Sequence, residues 1–300
     1  MKNKQLIIYS SIVLSMLCWS LSFVWTKIVY LVYNPITTVT LRLLISTTLL
    51  YLFAKGLNKL QKIAPKDRWP IIALAFFEPF MYFMGESFGL KYVSSTLGAV
   101  IISTIPLFSP IAAFYFHKER LTIPNIIGIL VSILGVSVII FNKQLALVAS
   151  PIGLTLLFVA VFAAVGYSIF LKNLAKKYNP LTIITYQNFI GIFFFLPLFL
   201  IFDLSHFLEA HPTTQVITAL IELAVFASSL AFIFFTYALK HLGITKSNAF
   251  INVIPVFTAI FAFFILKENL GLQKIIGILI VMGGLFFSQS KISIFHKKSK

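Results

Sequence analysis

Four ionisable side chains stand inside long apolar runs of this 300-residue chain: Arg42, Glu78, Glu86 and Glu222. Charge is costly in hydrocarbon, and such groups usually face protein or a water-filled cavity. Tyr82, Gly85, Glu86 and Gly89 follow Glu78 at spacings of 4, 7, 8 and 11, which puts all five on one face of a helix. That face is expected to point inward. Arg42 and Glu86 lie at similar depth, about 8 to 10 Å from the near ends of their helices at 1.5 Å per residue, so they could pair. A structural ion pair joining two helices and a substrate-binding pair both fit. Glu78 and Glu222 have no basic partner at their depth. The chemistry open to such groups is the binding of a small polar solute, with proton exchange at Glu78 as a coupling step. An enzyme would need a nucleophile or metal constellation near the interface, and none stands out.

Polar residues elsewhere in the apolar runs extend the candidate site. Asn248, Asn252 and Pro255 share a helical face, and Ala99, Ser103 and Pro106 share the matching face of an earlier run. A mid-span proline leaves a carbonyl that neighbours, water or substrate can satisfy, so Pro106 and Pro255 read as packing kinks or as hinges. Trp19 and Gln187 join the candidate substrate contacts, with Tyr167, Tyr186 and Asn188 as further cavity residues. Gly128, Gly135, Gly277 and Gly284 read as close-packing positions. His206 and His211, with Asp203 and Glu209, read as a solvated loop rather than a metal site. Cys18 is the one cysteine, so no internal disulfide forms, and no Cys/His spacing suits zinc. No cofactor or metal is expected.

The elements that must position these residues are membrane helices. Hydrophobic residues make up 59% of the chain and charged residues 11%, with a mean hydropathy of +0.99, whereas a soluble domain is nearer half apolar and a quarter charged. Ten runs are long enough to cross about 30 Å of hydrocarbon: 6–31, 36–55, 70–91, 95–116, 123–141, 152–175, 181–202, 214–239, 244–265 and 271–290. The first has Lys2 and Lys4 before it but is span-length and lacks a small-x-small cleavage site, which sets aside a signal peptide. Runs of this length exclude a closed barrel, leaving an all-α integral membrane fold.

The chain also repeats itself. "KERLTIPNIIGIL" from Lys118 returns as "KENLGLQKIIGIL" from Lys267, and at the same offset of 149 Thr96, Pro106 and Gly135 match Thr245, Pro255 and Gly284. Nearer the start of each half, Tyr33-Asn34-Pro35 returns as Tyr178-Asn179-Pro180 at an offset of 145. Residues 1–145 and 146–300 therefore read as two copies of a five-helix unit. An odd number of spans per copy makes the copies inverted, and inverted repeats supply the two packings that alternating access requires. With the amino terminus inside, the connection from Lys55 to Arg68, residues Lys172 to Lys177, Lys240, Lys246 and the tail from Lys291 fall on one side. Only Lys27, Lys91, Lys143, Lys267 and Lys274 fall on the other. This asymmetry places both termini in the cytoplasm and accounts for the net charge of +16 without nucleic acid, for which no groove-reading motif is present.

"LCWSLSFVWTK" (Leu17 to Lys27), "NPITTVTLRLL" (Asn34 to Leu44) and the twice-used Pro, Lys-Glu, Ile-Ile-Gly order resemble the EamA family of the drug/metabolite transporter superfamily. The resemblance covers nearly the whole chain as two units. It implies a ten-helix bundle that carries small polar metabolites, often amino acids outward, across the bacterial inner membrane. The chain is expected in the lipid bilayer, and the sequence fits a monomer and a homodimer alike. Two positions depart from the repeat: Gln187 stands where Arg42 stands in the first copy, and Ala164 where Trp19 does. A carrier is the expectation; a channel, which would need a continuous polar stripe, and a membrane enzyme are the competing classes.

Overall fold

A computed structural model describes residues 2–117, 123–141 and 149–288. The motif residues Lys118, Glu119 and Leu121, Lys143 and the tail from Lys291 lie outside the described residues. Every described element longer than an isolated bridge is a helix. Among the described residues, six stretches are long and apolar enough to cross a membrane: Gln5–Val29, Pro35–Gly56, Pro65–Tyr92, Pro151–Lys177, Pro180–Glu209 and Thr214–Leu242. Four shorter apolar helices accompany them, Ser95–Ser109, Ile126–Ile140, Phe250–Leu266 and Leu272–Phe287.

Helix starts follow local chemistry. Helices α1 (Lys2–Val29) and α2 (Pro35–Gly56) are joined by a short turn, and α2 begins on a proline whose missing N–H would be unpaired there in any case. Helices α3 (Arg68–Ala75), α4 (Tyr82–Tyr92), α5 (Ser95–Ile102), α6 (Ile105–His117) and α7 (Ile123–Ile140) complete the first half. In the second half, α8 (Pro151–Lys177) and α9 (Pro180–Leu198) again start on prolines, and the Ser150 and Asn179 side chains accept from the N–H groups of Gly153 and Thr182. Short α10 (Leu204–Glu209), α11 (Thr214–Glu222), α12 (Ala231–Leu242), α13 (Ile244–Ala249), α14 (Ile254–Leu266) and α15 (Leu272–Ser288) follow.

Several spans are interrupted rather than continuous. The third is broken between α3 and α4, where Glu78 is extended (φ −148°, ψ 119°) ahead of Pro79. Steric conflict with the proline ring disfavours a helical conformation in the preceding residue. The single uninterrupted face expected from Glu78 to Gly89 is therefore corrected: Tyr82, Gly85, Glu86 and Gly89 share α4, and Glu78 sits at the break. The fourth span turns at Ser103 and Thr104, and the ninth passes through a tighter 3-10 turn over Phe250–Val253. In each case a new helix begins one residue before the proline, Pro106 in α6 and Pro255 in α14, where the lost backbone donor is least costly.

Glycines let the helices close on one another. A Cβ on Gly85 would lie 2.5 Å from the carbonyl oxygen of Leu156, holding α4 against α8. One on Gly135 would lie 2.9 Å from the carbonyl of Gly277, and one on Gly284 2.8 Å from that of Gly128, so α7 and α15 meet backbone to backbone.

The connections form two groups at opposite ends of the helices. In one, Asp203 accepts from the N–H of Thr37 at 3.0 Å and its hydroxyl at 2.8 Å, with Asn34 at 3.5 Å. Asp203 is buried, which corrects its assignment to a solvated loop: it caps α2. In the other group, Asp67 accepts from Lys177 at 2.5 Å and from the Tyr178 hydroxyl at 2.8 Å. There the Asn179 amide and Thr182 hydroxyl donate to the carbonyl of Lys59 at 2.8 and 3.2 Å.

Candidate functional site

Helices α1, α2, α4, α5, α6, α8, α12, α13 and α14, with the segments at Glu78 and Ile251, line a cavity between the two halves of the chain. Arg42 enters it from α2 and is almost wholly buried, at 3% exposure. Its Nε donates to the Ser228 hydroxyl at 2.7 Å, and its guanidinium carbon lies 4.3 Å from the centre of the Phe83 ring. The guanidinium is thus oriented by a hydroxyl and an aromatic face. On α4 the Tyr82 hydroxyl donates to Glu86 Oε1 at 2.9 Å, one helical turn away. Arg42 and Glu86 line the same space but make no salt bridge within 4.0 Å. The expected direct pair is replaced by two separately held charges.

Glu78 is also buried, lines the cavity and makes no hydrogen bond to a described side chain. It stands at the helix break, where backbone freed from the ladder and a carboxyl group face the same space. Opposite, Trp19 packs against Phe232 and Phe235, each with ring centres 5.1 Å away. The Asn248 amide reaches in from α13, donating to Ser109 at 3.0 Å while its oxygen finds no partner. The enclosed volume is about 50 Å³, room for a few waters rather than for a metabolite. The arrangement can neutralise opposite charges on one solute and stack its apolar part, provided the cavity is wider than it is here.

A second polar cluster lies behind the wall. Tyr167, which lines the cavity, approaches Gln187 and Thr236, yet none of their hydroxyl or amide atoms forms a well-aligned hydrogen bond. Asn252 is fully buried with both amide atoms unpaired. Buried polar atoms are rarely left so; water, a solute or a rearranged packing would satisfy them.

Of the residues singled out from sequence, Trp19, Arg42, Glu78, Tyr82, Glu86 and Asn248 come together in the cavity. Gln187 and Asn252 do not line it, and the Ser103 hydroxyl is turned to the carbonyl of Val100. Glu222 is elsewhere: half-exposed on α11, beside Trp25 and the separate apolar cluster of Val24, Ile28 and Leu220. Sequence reasoning passed over Ser228, Phe83, Phe232 and Phe235. Nothing in an apolar helix rich in phenylalanine distinguishes these from lipid-facing neighbours. It also passed over Glu268, although the twice-used Lys-Glu was its signal. Glu268 accepts from the N–H groups of Ser95 (2.8 Å) and Thr96 (3.4 Å) and from the Thr96 hydroxyl (2.8 Å). Among the described residues, no group of three or more His, Cys, Asp or Glu is placed to hold a metal ion.

Comparison with known proteins agrees with this architecture. The model of the EamA-like transporter family matches the chain twice, over residues 6–141 and 151–289. An uncharacterized transporter of Archaeoglobus fulgidus is 28% identical over 271 residues, covering 89% of this chain and 93% of its own. The uncharacterized transporter YetK of Bacillus subtilis is 30% identical over 251 residues, 81% and 73% of the two chains. A solved crystal structure superposes over 96% of both chains with a TM-score of 0.70 at 15% identity, a likeness of fold. With both halves matched and relatives aligned over most of its length, the chain belongs to the EamA-like transporter family.

Proposed function

We propose that this protein is a secondary transporter that exports a small polar metabolite, an amino acid or a related compound, across a bacterial inner membrane by alternating access. The observation that carries this reading is the central cavity. It joins one guanidinium, two carboxyl groups and an aromatic wall, and is built from both halves of the chain. A zwitterion with an apolar portion matches that lining: its carboxylate would meet Arg42 and its ammonium Glu78 or Glu86.

Alternating access rests on two inverted five-helix repeats, and the contacts support that reading. Gly128 and Gly277 are equivalent by the 149-residue offset, as are Gly135 and Gly284, and they meet crosswise: Gly135 with Gly277, Gly284 with Gly128. Reciprocal contact of this kind is what a two-fold relation produces. Thr37 and Thr182, equivalent at an offset of 145, bind connections at opposite ends of the molecule, as inverted copies would. The cluster Lys55 to Arg68 with Lys177 would mark the cytoplasmic end, with both termini there, and Asp203 and Glu268 the outer end.

The reading is tested by counterflow in proteoliposomes preloaded with a mixture of amino acids. Accumulation of a labelled amino acid against its own gradient, driven by unlabelled solute on the far side, is the expected result. Conductance without such stimulation would identify a channel, and the absence of both would defeat the proposal. A Ser205→Cys reporter in a Cys18→Ala background identifies the side that impermeant thiol reagents reach, which should be the outside of intact cells.

A further inference from the structure

A second cavity lies away from the central one, between α2 and α9 at the basic end of the molecule. It has a volume of about 350 Å³, within the usual range for ligand pockets. Tyr51 and Leu52 form one wall, Tyr186 and Phe189 the other, and Leu60 of the α2–α3 connection closes the top. Tyr51, Leu52 and Phe189 are 44%, 60% and 47% exposed, so the groove opens sideways, on the surface that meets lipid. Among its polar lining residues, Thr48 and Thr185 turn their hydroxyls back to the carbonyls of Leu44 and Leu181, which leaves the slot largely apolar.

Charge above the groove has one sign. Lys55 lies with its Nζ 5.8 Å from the centre of the Tyr51 ring. Lys59 and Lys62 flank Leu60, are exposed, and make no side-chain ion pair with a described residue. The two walls and the connection contain no acidic residue from Leu43 to Lys66 or from Tyr178 to Phe202. Asp67, the nearest acid along the chain, is already held by Lys177 and Tyr178. A strip of unneutralised ammonium groups over an apolar slot with interfacial tyrosines fits one ligand chemistry: a phosphate diester head on a hydrocarbon chain.

We propose that this groove binds one anionic phospholipid. Its phosphate is taken by Lys55, Lys59 and Lys62, its ester region lies beside Tyr51, and an acyl chain runs between Leu52 and Phe189. The inference rests on the membrane fold and this groove, not on the transport reading, so either can fail alone.

The test uses purified protein in nanodiscs and two probes with the same diazirine-bearing acyl chain, a phosphatidylglycerol and a phosphatidylcholine. The phosphatidylglycerol probe should label residues 47–52 and 185–189 in preference to its zwitterionic counterpart. At about 1 kcal/mol per lysine near the surface, the K55Q/K59Q/K62Q variant should bind roughly a hundredfold more weakly. Thr48→Trp, on the exposed lip of the groove, should block labelling with the charges intact. Equal labelling by both probes, labelling elsewhere, or undiminished labelling in both variants would overturn the proposal. A parental melting temperature for either variant keeps the result readable if the other folds poorly.

Discussion

Glu86 accepts a hydrogen bond from Tyr82 at 2.9 Å, whereas Glu78, in the same cavity, is held by no described side chain. The two carboxyl groups should therefore answer differently to the same substitution. Glu78→Gln preserves shape and hydrogen bonding but cannot titrate, so it should retain substrate binding and lose the dependence of transport on an imposed pH gradient. Glu86→Gln should keep that dependence and weaken affinity, because its partner Tyr82 and the nearby Arg42 would face an uncharged amide. Uptake with and without a gradient distinguishes them, and a Glu78→Gln protein that follows the gradient as the parent does would return Glu78 to a structural role. These residues were legible in sequence because an ionisable group in an apolar run has few uses. Ser228 was not, although it orients Arg42 at 2.7 Å. A serine in such a helix can turn back to its own backbone, as Ser20 and Ser168 do, and only the tertiary arrangement shows which one points across.

At the scale of elements, the helix starts at Pro35, Pro151 and Pro180 follow from the chain alone, since proline suits a first turn. The interruption at Glu78 does not follow from periodicity, which assigns Glu78 to the face of Tyr82 and Glu86; only the effect of Pro79 on its predecessor points to a break. The contact least visible in sequence joins the end of α14 to the start of α5. Lys267 turns left-handed (φ 57°) after α14, and Glu268 then places its carboxylate on the first amides of α5, where a helix favours negative charge. Lys27 of α1 donates to the carbonyl of Leu90 at the same end. Together these tie α1 to α4 and α14 to α5 at one end of the molecule. Glu268→Ala removes the acceptor for two backbone N–H groups and one hydroxyl, so the end should open more readily. In a Cys18→Ala background, Ser22→Cys in the cavity wall should then react several-fold faster with an impermeant thiol reagent added on the Ser205 side. An unchanged rate would show that Glu268 caps α5 without closing a gate.

The whole molecule combines these parts into a device with two ends. Crosswise packing of α7 and α15 leaves no room for a Cβ at Gly135, Gly277 or Gly284, and such close packing disfavours sliding along this seam. Motion is better accommodated where helices are already interrupted: between α5 and α6, between α13 and α14, and at Glu78. On the proposed transport reading, a cavity of about 50 Å³ is too small to release a metabolite without such motion, so the end held by Glu268 would have to separate in every cycle. Thr96 and Glu268, in contact at 2.8 Å, lie on opposite sides of that separation. Replacing both with cysteine in the Cys18→Ala background and bridging them with a short bifunctional thiol reagent should stop counterflow almost completely. Each single cysteine treated alike should stay active, and a cleavable bridge should restore transport on reduction. Full transport through a protein shown by mass to be bridged would mean that this end never opens, and that solute reaches Arg42 and Glu78 by another path.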